Sequence, residues 1–150
     1  LGSLGGYVAA RVENFELLRN KGRSFIFSTA LPPAVLAAGL AALRHVKANP
    51  GLGARLMRIS RQIRDHLDSL GFDTMGSTTQ IIPVFCGKNR VALHAQALLR
   101  AEGLLVAAVR PPTVPQGTAR LRLSLRADLT DDDLKHIRLG FSRLRVSFFP

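Results

Sequence analysis

The stretch ARLRLSLR, residues 119–126, is the part of the sequence that most limits the fold. Its residues alternate strictly, with an alanine and three leucines at one parity and three arginines and a serine at the other. Because successive side chains of a β-strand point to opposite faces, this pattern predicts a strand with one apolar and one polar face. The apolar face needs a covering layer of helices, so a two-layer α/β sandwich is expected.

The neighbouring segments predict the remaining elements of that sandwich. Residues 76–87, GSTTQIIPVFCG, are typical of a strand, and they are followed by a helix for which Asn89 is a possible N-cap. Residues 104–109, LLVAAV, predict a buried strand, and Thr130 before three aspartates predicts the cap of a last helix. The apolar residues at a spacing of three and four predict the buried face of that helix: Leu134, Ile137, Phe141 and Leu144. Residues 50–150 are therefore predicted to form a small α/β domain of order β-α-β-β-α.

The first part of the chain is predicted to be mostly helical. Apolar residues at a spacing of three and four predict helices over residues 11–22 and 34–48, the second opened by Pro32 or Pro33. The opening LGSLGGYVAA predicts a glycine-rich loop that enters a short buried strand, and RSFIFSTA predicts an extended segment. The sequence Asn49-Pro50-Gly51 breaks the pattern before another amphipathic helix, so a soft boundary is expected near residues 49–53.

Composition excludes some classes of protein and leaves others open. No run of 18 apolar residues predicts a membrane span, and the four histidines share no metal-ligand spacing, so no metal site is expected. A single cysteine, Cys86, cannot form an internal disulfide, which is typical of a cytoplasmic protein, and a buried unreactive thiol is expected. The net charge of +11 favours polyanions, but nucleic-acid binding is the weaker alternative because no aromatic residues are interleaved with the cations.

The arginines of residues 119–126 raise a question of their own. Cations on one strand face repel each other and need anionic partners, and a strand-borne guanidinium suits a bidentate carboxylate contact. The preceding loop, RPPTVPQG, is stiffened by three prolines and adds Arg110. From the pattern alone, a ligand site and a solvated edge strand protected from aggregation remain equally open.

Several segments resemble one enzyme family. The stretch RPPTVPQGTARLRLSL resembles the C-terminal signature of the α-oxoamine synthases, pyridoxal-phosphate enzymes of the aspartate-aminotransferase-like fold. LGSLGGYVAA, FIFSTALPP and STTQIIPVFCG are similar, in the same order, to the family's glycine-rich stretch, Ser-Thr-x-x-Pro-Pro segment and Ser-x-x-x-Ile-x-Pro strand. The resemblance implies that residues 1–49 are the end of the large cofactor-binding domain with an interdomain helix, and that residues 50–150 are the small C-terminal domain.

The resemblance also implies a chemistry and a set of site residues. The family condenses an amino acid, here alanine, with an acyl thioester on coenzyme A or a carrier protein, releasing CO2 with pyridoxal 5'-phosphate as electron sink. Arg122 would bind the amino-acid carboxylate, and Arg110, on a mobile loop, a carboxylate or the acyl donor. Thr29, with Ser28, would contact the cofactor phosphate of a neighbouring subunit, which implies a homodimer. Gly5 would let the backbone pass close beneath the cofactor.

Some features depart from the family pattern. The resemblance places the Schiff-base lysine two residues before Leu1, so no catalytic residue is expected here and the chain alone is expected to be inactive. Leu129 stands near the place where members often carry histidine. Three alternatives remain: a related synthase such as a glycine C-acetyltransferase, a basic nucleic-acid-binding module, and a non-catalytic dimerisation module.

Overall fold

A computed structural model describes residues 2–148, with Phe148 described by its backbone only. The chain divides into two compact units, residues 1–50 and 51–150. None of the helices so described is long and apolar enough to cross a bilayer. The first unit contains α1 (Val12–Lys21), α2 (Arg23–Ile26) and α3 (Pro33–Ala48). The second contains α4 (Leu52–Ser69), β1 (Ile81–Gly87), α5 (Asn89–Ala101), β2 (Ala107–Val109), β3 (Ala119–Ser124) and α6 (Asp131–Phe148).

The second unit is built on an antiparallel sheet in which β3 is the central strand. The strand order is β1-β3-β2, and both neighbours run antiparallel to β3. This arrangement confirms the predicted strand in residues 119–126 and the predicted order of elements. In the register, Arg122 faces Pro83 of β1 on one side and Ala107 of β2 on the other.

Helices cover one face of this sheet and enclose the core. Leu121 and Leu123 of β3 and Ile82 of β1 are buried on that face, as the alternation of residues 119–126 predicted. The ring of Phe72 meets that of Phe141 edge to face, with ring centroids 5.9 Å apart. The apolar positions predicted for the last helix are all buried: Leu134, Ile137, Phe141 and Leu144.

The opposite face of the sheet is open among the described residues of this unit. Arg122 and Ser124 are exposed, and the side chains of Ile81 and Phe85 remain 44% and 40% exposed. A row of polar residues on the central strand therefore lies between apolar residues on β1 and β2. A surface of this kind can bind a ligand that is charged at one end and apolar at the other.

Local hydrogen bonds explain where the helices of the second unit begin and end. The Asp133 N–H donates to Thr130 Oγ1 at 3.2 Å, and the Thr130 N–H donates to Asp133 Oδ2 at 2.8 Å, which confirms the predicted cap. The prediction that Asn89 caps α5 is wrong. Lys88 precedes the helix without a side-chain cap, and Asn89 is already the first helical residue. Gly71 follows α4 with a φ of +77°, a left-handed conformation that glycine adopts without strain.

Two predictions for the first unit are wrong. Residues 7–11 are irregular and form no strand, because this unit contains no partner strand among its described residues. Residues 23–26 form the short helix α2 rather than an extended segment. The Phe27 N–H donates to the Arg23 carbonyl at 3.0 Å, and these local bonds override the β-propensity of the aromatic residues.

The helices of the first unit contain no buried residue. The apolar stripe predicted for α3 is present, but Leu36, Leu40 and Leu43 remain 56%, 49% and 46% exposed within the chain. Phe15 of α1 and Phe25 of α2 are also exposed. Exposed apolar surface of this extent is typical of a segment that packs against another polypeptide surface.

The core of the second unit leads to a stability prediction. We expect Phe141→Ala to lower the free energy of unfolding by about 3–5 kcal/mol, because the Phe141 side chain is fully buried and its loss leaves a cavity. Leu139→Ala, in the same helix but at a side chain that is 56% exposed, is the matched control and should cost about 0.5 kcal/mol or less. Urea unfolding measures both values. Equal losses for the two variants would contradict the described core.

Candidate functional site

Arg122 lies at the centre of the open face of the sheet. Its strand is paired on both sides, so the backbone that carries the guanidinium is held by two ladders. The side chain is exposed, and no carboxylate or carbonyl within residues 2–148 pairs with it. A guanidinium on a fixed backbone without an internal partner offers two parallel N–H donors to an incoming carboxylate.

The other two arginines of this strand region are bonded within the chain. Arg126 makes a bidentate pair with Asp128, in which Nε and Nη2 donate to the two carboxylate oxygens at 2.9 and 2.7 Å. The hydrogen bond from Arg126 lowers the pKa of Asp128 below its usual value. Arg120 donates through Nε to the Thr118 carbonyl at 3.0 Å. The three arginines of the sequence pattern are therefore not equivalent, and Arg122 is the one available to a ligand.

Arg110 directly follows β2, at the base of the proline-rich hairpin loop. The loop is closed by two short turns, in which the Thr113 N–H donates to the Arg110 carbonyl at 3.0 Å and Thr118 Oγ1 donates to the Pro115 carbonyl at 2.7 Å. Arg110 lies three residues beyond Ala107, the residue that faces Arg122, which is about 10 Å along an extended strand. The hairpin thus carries both arginines, and the Arg110 side chain is exposed.

Gly5 belongs to the first unit, where the glycine-rich segment packs against the start of α3. Its φ is +106°, and a Cβ at this position would lie 2.8 Å from Leu31 Cδ1. Ser3 Oγ donates to the Val35 carbonyl at 2.9 Å, and an apolar groove of about 440 Å³ lies between this segment and α3. The positive φ already favours glycine at position 5, and the predicted contact of Gly5 with the cofactor stays a prediction.

Ser28 and Thr29 precede α3, but neither of them caps it. The residue at the N-cap is Pro32, without a side-chain cap bond, and Pro33 is the first helical residue. Ser28 Oγ donates to the Ser24 carbonyl at 2.5 Å, whereas no side-chain bond of Thr29 occurs within the described chain. An exposed hydroxyl in the segment that leads to the positive end of a sixteen-residue helix fits a phosphate group.

A buried anchor that the sequence did not reveal holds the start of β1. Ser60 is fully buried on α4, and its hydroxyl donates to the Thr79 carbonyl at 2.6 Å. Arg64 Nη1 donates to both Ser60 Oγ and the Thr79 carbonyl, at 2.7 and 2.9 Å. The sequence pattern does not reveal this cluster, because Ser60 and Thr79 are 19 residues apart in the chain. It holds the segment that enters β1, the strand that faces Arg122.

Cys86 is a half-buried residue of β1 that packs against the core, and it lacks the character of a nucleophile. Burial raises the pKa of the Cys86 thiol above its ordinary value, which keeps the thiol protonated at neutral pH. Its Sγ donates to the Val84 carbonyl at 3.4 Å. These features agree with the expected unreactive thiol.

Comparison with known proteins finds relatives that match most of the chain. Residues 1–138 match the model of the family described as aminotransferase class I and II. The chain is 49% identical over 146 residues to an 8-amino-7-oxononanoate synthase of Geobacter sulfurreducens, covering 96% of this chain and 37% of that protein. It therefore spans little more than a third of the length of the curated relatives that it matches.

Solved structures support the predicted fold class. A serine palmitoyltransferase from S. paucimobilis, solved with bound PLP, matches 97% of this chain and 37% of its own with a TM-score of 0.88 and 28% identity. An 8-amino-7-oxononanoate synthase from Francisella tularensis matches 93% of this chain and 40% of its own with a TM-score of 0.74; at 22% identity it shows the shared fold alone. These matches confirm the fold class and the resemblance drawn from the sequence.

The contrast between Arg126 and Arg122 gives a pH prediction. Because the pKa of Asp128 is lowered in the folded protein, its pairing stabilises the fold above the unfolded pKa of about 3.9, and this contribution disappears as pH falls through the lower folded pKa. We expect Asp128→Asn to lower the free energy of unfolding at neutral pH, with the difference vanishing as pH falls through the lowered pKa of Asp128. Urea unfolding at a series of pH values measures the effect.

Arg122→Gln is the control for this measurement, since Arg122 has no carboxylate partner among the described side chains. It should leave the pH profile of stability unchanged. A loss from Asp128→Asn that persists undiminished at acid pH would contradict the assignment.

Proposed function

Since the chain belongs to the aminotransferase class I and II family, we propose that it forms part of a pyridoxal-phosphate-dependent α-oxoamine synthase. The substrates are L-alanine and a pimeloyl thioester, either pimeloyl-CoA or pimeloyl-carrier protein, which are condensed with loss of CO2 in biotin synthesis. The observation that carries the proposal is the unpaired Arg122 on the open face of the sheet, in a chain 49% identical to an 8-amino-7-oxononanoate synthase.

Arg122 has the role of binding and orienting the amino acid. Two parallel N–H donors of one guanidinium hold both oxygens of the carboxylate, so the carboxylate is fixed in one plane and one direction. The orientation of the carboxylate in turn determines which bond of the α-carbon is placed to break. When bound, pyridoxal 5'-phosphate supplies an electron sink for negative charge at the α-carbon. The open sheet face provides the rigid support that such positioning requires.

Thr29 is the residue that we propose for binding the cofactor phosphate. Its hydroxyl is exposed and makes no hydrogen bond within the described residues, so it can donate to a phosphate oxygen without breaking an internal bond. Ser28 would first have to give up its bond to the Ser24 carbonyl, and it is therefore the weaker of the two donors. Gly5 would contribute backbone close to the cofactor, in a conformation that its positive φ already provides.

Arg110 is proposed to bind the acyl donor. It shares the hairpin of Arg122, and its side chain is exposed at the edge of a loop closed by its own turns. The free carboxylate of a pimeloyl chain and the phosphates of coenzyme A are both suitable partners for a guanidinium. Because Arg110 lies beyond the end of β2, its guanidinium can move with the loop while Arg122 stays in place.

We also propose that the protein works in the cytoplasm as a homodimer in which Thr29 serves the cofactor of the neighbouring subunit. The support is physical: no residue of α1, α2 or α3 is buried within the chain, so these helices require a covering surface from elsewhere. Activity is expected to need the rest of the protein, including the lysine that the resemblance places before Leu1.

A second candidate function is a related synthase with another amino acid and acyl chain. The high similarity in structure to serine palmitoyltransferase favours it, because the same frame then serves a different acyl donor. Assays of the full-length protein with L-alanine, glycine and L-serine, each paired with pimeloyl, acetyl and palmitoyl thioesters, distinguish the candidates. Release of CO2 with L-alanine and a pimeloyl thioester supports the first, and preference for another pair supports the second.

The role of Arg122 gives the main functional prediction. In the full-length protein, Arg122→Gln should weaken the binding of L-alanine by about 10- to 100-fold, since hydrogen bonds to a charged group are lost, while cofactor binding stays unchanged. Titration of the visible absorption band of the cofactor measures both. Arg126→Gln is the matched control, because Arg126 pairs with Asp128. Unaltered L-alanine binding in Arg122→Gln would refute the proposed role.

The role of Thr29 gives a separate prediction. Thr29→Val removes the hydroxyl while keeping the shape of the side chain, and should weaken cofactor binding by about tenfold. Ser28→Ala is the control and should have a smaller effect, because the Ser28 hydroxyl is bonded to the Ser24 carbonyl. Equilibrium dialysis of the cofactor measures both variants. A larger effect of Ser28→Ala than of Thr29→Val would mean that Ser28, and not Thr29, is the main donor to the cofactor phosphate.

A further inference from the structure

We propose that Pro83 is a positioning residue for Arg122, and that its ring holds the arginine side chain upright on the open face of the sheet. The inference rests on the proposed function, in which Arg122 binds the amino-acid carboxylate. The register of the sheet places Pro83 of β1 directly opposite Arg122 of β3.

The hydrogen-bond pattern shows what kind of pair Pro83 and Arg122 form. In an antiparallel sheet, the N–H and C=O of one residue point to the same side of the strand, and those of the next residue point to the other side. Residues two apart therefore face the same neighbouring strand. The Phe85 N–H donates to the Asp73 carbonyl at 3.0 Å, away from β3. Phe85, and with it Pro83 two residues earlier, therefore occupies a non-hydrogen-bonded position relative to β3. The nitrogen of Pro83 faces the outer edge of the sheet, where the missing N–H leaves no ladder bond unmade.

Non-hydrogen-bonded pairs bring facing side chains close together. Their Cα atoms are about 4.5 Å apart, compared with about 5.5 Å in hydrogen-bonded pairs. Arg122 has its hydrogen-bonded partner on the other side, where the small side chain of Ala107 leaves more room. The Pro83 ring is consequently the nearest rigid surface to the methylene groups of Arg122. Pro83 is half-buried, although Ile81 and Phe85 on the same face of its strand are exposed.

This placement has two consequences for Arg122. A long cationic side chain packs its methylene groups along an apolar surface and keeps its charged end in solvent, and the Pro83 ring restricts it to conformations of this kind. Neither Pro83 nor Ala107 carries a side-chain acceptor, so the residues on both sides of Arg122 leave its donors for a ligand. The first effect reduces the conformational entropy that Arg122 loses when the carboxylate binds, and the second means that no hydrogen bond to these neighbours has to be broken first.

A purely structural role for Pro83 makes a different prediction. Proline on an edge strand protects the sheet from pairing with other chains, and its loss would then change stability or aggregation alone. The two roles are separated by a measurement that depends on the substrate carboxylate. L-alanine and L-alaninamide serve this purpose, because they differ only in the group that Arg122 is proposed to bind.

The experiment compares Pro83→Ala with the unmodified full-length protein loaded with cofactor. We expect the dissociation constant of L-alanine to rise about fivefold, which corresponds to about 1 kcal/mol for the loss of a cross-strand pair. Binding of L-alaninamide and of the cofactor should not change. Ile81→Ala is the matched control, because Ile81 lies on the same strand and face but opposite Ser124. It should leave both ligands unaffected.

A second pair of variants keeps the test independent of stability. Pro83→Val and Pro83→Thr have the same shape, but threonine adds a hydroxyl that can accept a hydrogen bond from Arg122. We expect the threonine variant to bind L-alanine more weakly than the valine variant, and to bind L-alaninamide equally well. Equal binding of L-alanine by these two, together with equal effects of Pro83→Ala on both ligands, would overturn the proposal.

The background of Arg122→Gln separates this proposal from the proposed function. There, Pro83→Ala should have no further effect on L-alanine binding, because the side chain that it positions is gone. A fivefold effect that persists in this background overturns the role of Pro83 while leaving that of Arg122 intact. If Arg122→Gln by itself leaves L-alanine binding unchanged, the proposed function fails and this inference fails with it.

Discussion

The pairing of β3 on both sides determines the position of Arg122, the central residue of the candidate site. A central strand has its backbone bonded to two neighbours, so the direction of each side chain follows from the register rather than from loop conformation. Arg122 faces Pro83 and Ala107, neither of which has a side chain that can neutralise it. Arg126 lies beyond the last paired residue, where the chain turns and brings Asp128 within bonding distance. The same residue type is thus left open to a ligand within the ladder and is paired with a carboxylate beyond it.

Much of the second unit could be predicted from the sequence, because its elements are set by local patterns. Alternation with a period of two in residues 119–126 gave the two faces of β3, and apolar positions at a spacing of three and four gave the buried side of α6. The register is a different kind of information. Nothing in one strand states which residue of another will lie opposite, so the pairing of Arg122 with Pro83 required the structure. The ion pair of Arg126 with Asp128 also required the structure, because it depends on the conformation of the turn after the strand.

The wrong predictions in the first unit also have a physical cause. Aromatic and β-branched residues in 23–30 favour extended backbone only where a neighbouring strand completes the hydrogen bonds, and no strand is described in this unit. The local bonds of α2 take over instead, including that from the Phe27 N–H to the Arg23 carbonyl. The prediction that Pro32 or Pro33 opens α3 is confirmed, because Pro33 is the first helical residue. A proline restricts only its own backbone and that of the residue before it, so it gave no information on the shape of the chain further upstream.

The absence of buried residues from α1, α2 and α3 has a consequence for biosynthesis. These helices leave the ribosome before the second unit, which builds its core from its own residues. Until a covering surface reaches them, side chains such as Phe15, Phe25 and Leu36 stay in contact with water and with other nascent chains. Yield in the cell is then governed by how soon that surface arrives, and molecular chaperones that bind apolar helices have this interval in which to act.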